Sequence, residues 1–303
     1  MYSYRSSLKS DTSDELINTY LLRPIAGFIV WGLYNTPITP NQVTIVSIIA
    51  GFASAFFYKK GSPDAFIIAG LLVTLKDVLD SADGQLARAR GQYSRIGRFL
   101  DSIGDFAVDV AIFGAIGWAL FQASGNSWML VMALLGLAGI TFRVSYHVFY
   151  HVSFLHLQKQ YRNNRMSEEV REEDRTRGGL ELVLQRIFQI IYGWQDRLIF
   201  RVDRWSRNES WRRERPVRME RKAQETDTGV TTESQAWYSD IVALRTSGLL
   251  GFGTELFLLM VCSVFNELEF YLYLNLFLMN GILVFCIFYR RIVVAAKIQK
   301  SVE

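Results

Sequence analysis

Cysteine is nearly missing from this sequence. Cys262 and Cys286 are the only two in 303 residues, and both fall inside apolar runs without metal-pair spacing, so they read as packing residues. Residues 1–15 (MYSYRSSLKSDTSDE) have no apolar core, which predicts no cleavable signal peptide and leaves the first span to direct insertion. Also missing is an even spread of apolar residues at the spacing of soluble amphipathic helices. Half of the residues are hydrophobic, but they are bunched into long runs.

Six runs approach the roughly 20 residues a helix needs to cross a hydrocarbon layer, at about 41–59, 64–87, 97–122, 127–154, 240–265 and 268–289. The expected fold is an all-α integral membrane bundle. Basic residues in short loops stay on the cytoplasmic side. With the N-terminus inside, Lys and Arg number three in the N-terminal tail, four in the second loop, seventeen in the fourth and four in the C-terminal tail. The outer side holds only Lys59 and Lys60. Both termini are therefore expected in the cytoplasm, with the inner membrane as the location in a prokaryote. The net charge of +4 suits an anionic leaflet or a phosphorylated substrate, and soluble nucleic-acid binding is disfavoured.

Residues 1–38 read as a tail and an amphipathic helix in the cytoplasmic interface, with capping-box spacing from Thr12 to Glu15 and an interruption at Arg23-Pro24. Thr39-Pro40-Asn41-Gln42 offers an N-cap, a proline at the first helical position and a glutamine at the third, so the first span begins there. Residues 39–155 carry four spans, 239–292 the last two, and 293–303 a cytosolic tail. Between them, 156–238 is a hydrophilic insertion. Its middle, LELVLQRIFQIIYGWQDRLIFRVDRW, is amphipathic and basic, which fits either the membrane surface or a cytosolic helical pair packing on itself. Residues 206–236 are polar and poor in large aliphatics, and flexibility is expected there.

The informative stretch runs from Asp80 through Asp83, Gly84, Ala87 and Arg88 to Gly97, Asp101 and Asp105. On helices, Asp80, Asp83, Gly84 and Ala87 share one face, and Gly97, Asp101 and Asp105 share another. The short connection ARGQYSRIG makes the two helices antiparallel neighbours, so two carboxylate ladders face one pocket. A single charge at the centre of a membrane helix costs about 2.5–3.5 kcal/mol on the insertion scale, so four acids require a positive partner. An all-oxygen ligand set selects a hard cation, with magnesium favoured and manganese or calcium as alternatives. Such ions keep positions open for phosphate oxygens. Gly84 and Ala87 permit either close helix packing or a nucleotide against that face. Asp77 and Asp109 extend the ladders by one turn and read equally as tuning groups or as buried hydrogen-bonded carboxylates.

Position for position, these residues resemble the signature of the CDP-alcohol phosphotransferase family: Asp, two residues, Asp-Gly, two residues, Ala-Arg, eight residues, Gly, three residues, Asp, three residues, Asp. Pro40-Asn41-Gln42-Val43-Thr44 is similar to the family's first-span motif, and the resemblance covers roughly residues 12–155. It implies six spans after an interfacial helix, homodimers, and one or two divalent ions, Mg2+ or Mn2+. By resemblance, Asp80, Asp83 and Asp101 hold metal, Asp105 is both ligand and general base, and Gly84, Ala87, Arg88, Asn41 and Thr44 line the CDP site. Gly114, Gly117, Gly136 and Gly139 would permit close packing in a dimer.

The motif does not choose the alcohol. Arg143 lies inside the fourth span, where an arginine is a functional candidate, and it resembles in position the acceptor-phosphate arginines of some family members. The favoured substrates are then CDP-diacylglycerol as donor and a polar alcohol or phosphoalcohol as acceptor. The rival within the family is a soluble CDP-choline or CDP-ethanolamine donating to a lipid hydroxyl. Outside it, a membrane prenyltransferase would need no small face for a nucleotide, and a divalent-cation transporter would place its acids at mid-membrane over several spans.

Overall fold

The computed structural model describes residues 17–158, 172–207 and 232–302, together with Tyr4, Glu15 and Val170. The expected cap at Thr12 and most of the polar stretch 206–236 lie outside these residues. The described residues form helices and no strands. In chain order they are α1 (Arg23–Leu33), α2 (Pro40–Lys60), α3 (Pro63–Arg90), α4 (Arg95–Ser124), α5 (Trp128–Leu157), α6 (Glu172–Arg177), α7 (Gly179–Ser206), α8 (Thr232–Ser239), α9 (Ile241–Gly248), α10 (Phe252–Val264), α11 (Leu268–Tyr273), α12 (Asn280–Tyr289) and α13 (Ala295–Val302). π-helical turns lead into α1 and link α11 to α12 and α12 to α13.

Five stretches are long and apolar enough to cross a membrane: Pro40–Lys60, Arg95–Ser124, Trp128–Leu157, Thr232–Val264 and Leu268–Lys300. Six were expected. The remaining one, α3, forms as a 28-residue helix where the second span was placed. It falls short in apolarity because Asp64, Lys76, Asp77, Asp80, Asp83, Arg88 and Arg90 all lie on it.

The chain divides into two compact units, one containing Glu15–Thr141 with Phe252–Met279, the other Phe142–Gly251 with Asn280–Glu303. In the first unit the local chemistry sets each helix boundary. Thr39 is the expected N-cap, and with Gln42 it closes a full capping box, Thr39 N–H donating to Gln42 Oε1 at 2.8 Å and Pro40 following at the first helical position. Gly61 at φ 72° ends α2, and Ser62 caps α3. Gly91 at φ 65° ends α3, and Ser94 caps α4. Left-handed glycine followed by a serine cap lets the chain reverse within a few residues.

Helix α2 is the spine of this unit, packing along both α3 and α4, whereas α3 and α4 approach each other closely at few points. The α2–α3 seam is polar and small: Ser47 Oγ donates to the Lys76 carbonyl at 2.9 Å, and Ser54 Oγ to that of Ala69 at 2.8 Å. The α2–α4 seam is glycine-lined. A Cβ on Gly97 would strike the Asn41 side chain, one on Gly104 would strike Ile48, and one on Gly51 would lie 2.5 Å from Val108 Cγ1. On its other sides α3 meets α1 and α10. Leu22, Ala26 and Val30 pack with Val78, Ala82 and Leu86, and Gly70 leaves room for Ser263.

The α1–α3 joint is locked by Arg90. Its guanidinium donates to the carbonyls of Leu33, Tyr34, Thr36 (2.8 Å) and Ile38 (2.6 Å), at the end of α1 and in the turn that follows it. Glu15 plays the converse part, accepting from the N–H groups of Phe252 and Gly253 at the start of α10.

Gly117 and Gly136 serve contacts inside the chain, the first against Ala133 and the second against Phe113. Only open space surrounds Gly114.

In the second unit a buried carboxylate organises the packing. Asp203 of α7 accepts from Tyr150 Oη (2.9 Å) and Trp237 Nε1 (2.8 Å) and pairs with Arg207 at 2.6 Å. Arg290 stacks on the Tyr150 ring at 3.6 Å and donates to the Trp237 carbonyl at 2.8 Å.

Candidate active site

Asp80 projects from α3, and Asp101 and Asp105 from α4. One carboxylate oxygen from each lies within 4.8 Å of the others, so the two ladders converge as their spacing predicted. All three are half-buried. Asp101 Oδ1 is shielded from solvent and accepts no hydrogen bond. A carboxylate oxygen in that state is costly unless something positive meets it. An orphaned oxygen inside an all-carboxylate set fits a hard divalent cation.

Asp83 takes a different position. It is only 8% exposed and accepts a hydrogen bond from the Thr44 hydroxyl of α2. The first-span motif and the aspartate motif are thereby joined through one hydrogen bond. Asn41 packs where Gly97 leaves space, so that motif glycine serves the α2–α4 approach. Gly84 has a similar local reason: a Cβ there would sit 3.3 Å from Arg88 Nη1, so the guanidinium lies back over its own helix at this glycine. Gly84, Ala87 and Arg88 are all partly exposed.

Lys76 carries no weight in the motif, yet it is at the centre of the acids. Its ammonium is 1% exposed, pairs with Asp105, and lies 5.0 Å from the centre of the Phe252 ring. Asp77 and Asp109 are buried nearby and interact electrostatically with it. The sequence signal was faint: one lysine in an apolar stretch, four residues before Asp80 and so on the same helical face.

Arg143 belongs to the second unit. It is fully buried and donates from Nη1 to Asn280 Oδ1 at 2.7 Å.

Comparison with known proteins bears on the first unit above all. The CDP-alcohol phosphatidyltransferase family model matches residues 37–158, which hold every carboxylate of the cluster as well as Asn41, Thr44 and Arg88. Residues 37–158 belong to the CDP-alcohol phosphatidyltransferase family. The match begins just ahead of the first-span motif, so α1 lies before it. Relatives include a "Bifunctional IPC transferase and DIPP synthase" of Thermococcus kodakarensis, 33% identical over 132 residues, covering 44% of this chain and 29% of the relative. A "Phosphatidylinositol phosphate synthase" of Streptomyces avermitilis is 37% identical over 109 residues, covering 36% of this chain and 41% of the relative. An "Archaetidylinositol phosphate synthase" of Pyrococcus horikoshii is 42% identical over 80 residues, covering 26% and 40%. The chain thus spans less than half the length of these relatives. The family region supplies the convergent acids, and α7 and the last helices lie outside it.

Proposed function

We propose that the chain is an integral-membrane phosphotransferase that moves a substituted phosphate from a CDP-linked donor to an alcohol and releases CMP. The observation that carries this reading is the convergence of Asp80, Asp101 and Asp105 around an orphaned oxygen, inside a CDP-alcohol phosphatidyltransferase domain. These three would hold magnesium or manganese, with Asp83 beside them. When bound, the ion neutralises charge on a diphosphate. The residues of the chain do the rest. Thr44 fixes Asp83, Arg88 faces the diphosphate from the partly exposed end of α3, and Asp105 takes the proton of the attacking hydroxyl. The new bond joins the acceptor oxygen to the donor's distal phosphorus, and the bond to CMP breaks.

CDP-diacylglycerol is the favoured donor. A phosphorylated acceptor is favoured by relatives named phosphatidylinositol phosphate synthase and archaetidylinositol phosphate synthase, and we assign Arg143 to its phosphate. The six spans include α3, with α1 in the cytoplasmic interface, where its exposed Phe28 and Trp31 suit the headgroup boundary. Cytoplasmic termini and a homodimer complete the proposal.

The test is CMP release by purified protein with magnesium, CDP-diacylglycerol or soluble CDP-alcohols, and a panel of acceptors. CMP formed with CDP-diacylglycerol and a phosphoalcohol supports the reading. No CMP from any donor sinks it, and full turnover by Asp105→Asn removes the base.

A further inference from the structure

Helix α7 is amphipathic with its faces in an unexpected order. The face turned into the second unit is rich in polar groups: Gln185, Gln195 and Asp203 are buried, and Gln195 accepts from Ser145 Oγ at 2.5 Å. The face turned outward carries Val183, Ile187, Ile190, Trp194, Leu198 and Trp205, spaced by three, four or seven residues, with Ile190 75% exposed. A helix in water buries the second set and exposes the first. Flanking this stripe, Arg186, Arg197, Arg201 and Arg204 are exposed as well.

We infer that the outward face of α7 is a docking surface for the anionic cytoplasmic leaflet of the membrane in which the chain is embedded. Three observations select this occupant. An aliphatic and tryptophan stripe bordered by arginines matches the apolar-below, anionic-above order of a lipid headgroup layer. The stripe also runs on into the surface of the last candidate span. Trp205 packs edge-on against Phe288 with ring centroids 6.2 Å apart, and Arg291 stacks over Trp205 at 3.6 Å. On that span Phe285, Phe288 and Ile292 are exposed, as lipid-facing side chains are. Finally, the adjoining stretch 206–236 is poor in the large aliphatics that a helical partner for the stripe would carry. Helix α7 is therefore a surface paddle, fixed through the Asp203 network and resting on lipid by its other side.

The test uses the full chain in vesicles, spin-labelled at Ile190→Cys or Arg197→Cys. The unaltered chain, whose two cysteines are buried, gives the labelling background. Collision with oxygen, which partitions into lipid, is compared with collision with a water-soluble nickel chelate. In phosphatidylcholine vesicles containing phosphatidylglycerol, the label at Ile190 is expected to favour oxygen several-fold, and that at Arg197 to favour the chelate. Omitting phosphatidylglycerol should lower the ratio at Ile190 several-fold. Replacing the four arginines by glutamine should abolish that dependence. A chelate preference at Ile190 in both vesicles overturns the proposal. So does spin–spin broadening that disappears on dilution with unlabelled chain, which would place a second copy on the stripe. An unchanged ratio without anionic lipid overturns the charge component. None of these readouts depends on catalysis.

Discussion

Lys76 of α3 and Asp105 of α4 form an ion pair in which the lysine is enclosed by protein and the aspartate belongs to the acidic cluster. The pair spans a gap between two helices that otherwise approach each other closely at few points. A resident cation among Asp77, Asp80, Asp105 and Asp109 offsets part of their mutual repulsion from within the chain.

Replacing Lys76 by Met should therefore make the fold depend on metal. Removing one partner of a buried pair costs about 3–5 kcal/mol. The expected outcome is a large fall in melting temperature in chelator, with magnesium raising it more in Lys76→Met than in the unaltered protein. Equal magnesium shifts in differential scanning fluorimetry would show that Lys76 does not offset the cluster.

The Thr44–Asp83 hydrogen bond is testable by an isosteric change. Thr44→Val leaves a buried carboxylate short of a donor, at about 1–3 kcal/mol. Turnover should fall at least severalfold, while Thr44→Ser, which keeps the hydroxyl, should stay near the parent. Loss in both variants would assign the effect to packing.

Gly104 is required by Ile48 across the α2–α4 seam. Gly104→Ala should destabilise by about 1–3 kcal/mol through overpacking. Adding Ile48→Ala should restore part of it, a coupling that a double-mutant cycle in urea or thermal melts would measure.

Arg90→Lys should loosen the joint between α1 and α3. A lysine ammonium is a point donor and cannot reproduce a fork that reaches four carbonyls. Hydrogen exchange across residues 33–38 should quicken in the variant, with α4 unaffected.

The aspartate cluster was legible in the sequence because helical spacing alone decides which residues share a face, and the short 91–94 connection brings the two faces together. The N-cap at Thr39 was legible for the same local reason. Lys76 was not, because its partners come from a second helix and from Phe252, far away in sequence. Nor did periodicity reveal that α3 and α4 lean on α2 more than on each other. That arrangement follows from Ser47, Gly51 and Ser54 of α2, together with Gly97 and Gly104 of α4, whose small size matters only once their neighbours are known. For α7, spacing told which side chains align but not which side is covered.

The charge load of α3 bears on how this protein is made. A helix with three aspartates and a lysine through its second half resists entering a bilayer alone, since each such residue adds up to about 2.5–3.5 kcal/mol. The groups that meet these charges lie on other helices, Thr44 of α2 on Asp83, Asp105 of α4 and the Phe252 ring of α10 on Lys76, and those helices leave the ribosome before and after it. On the proposed six-span reading, helix α3 waits beside the insertion machinery until α4 has emerged, and chains cut short between residues 91 and 101 should fail to keep it in the membrane.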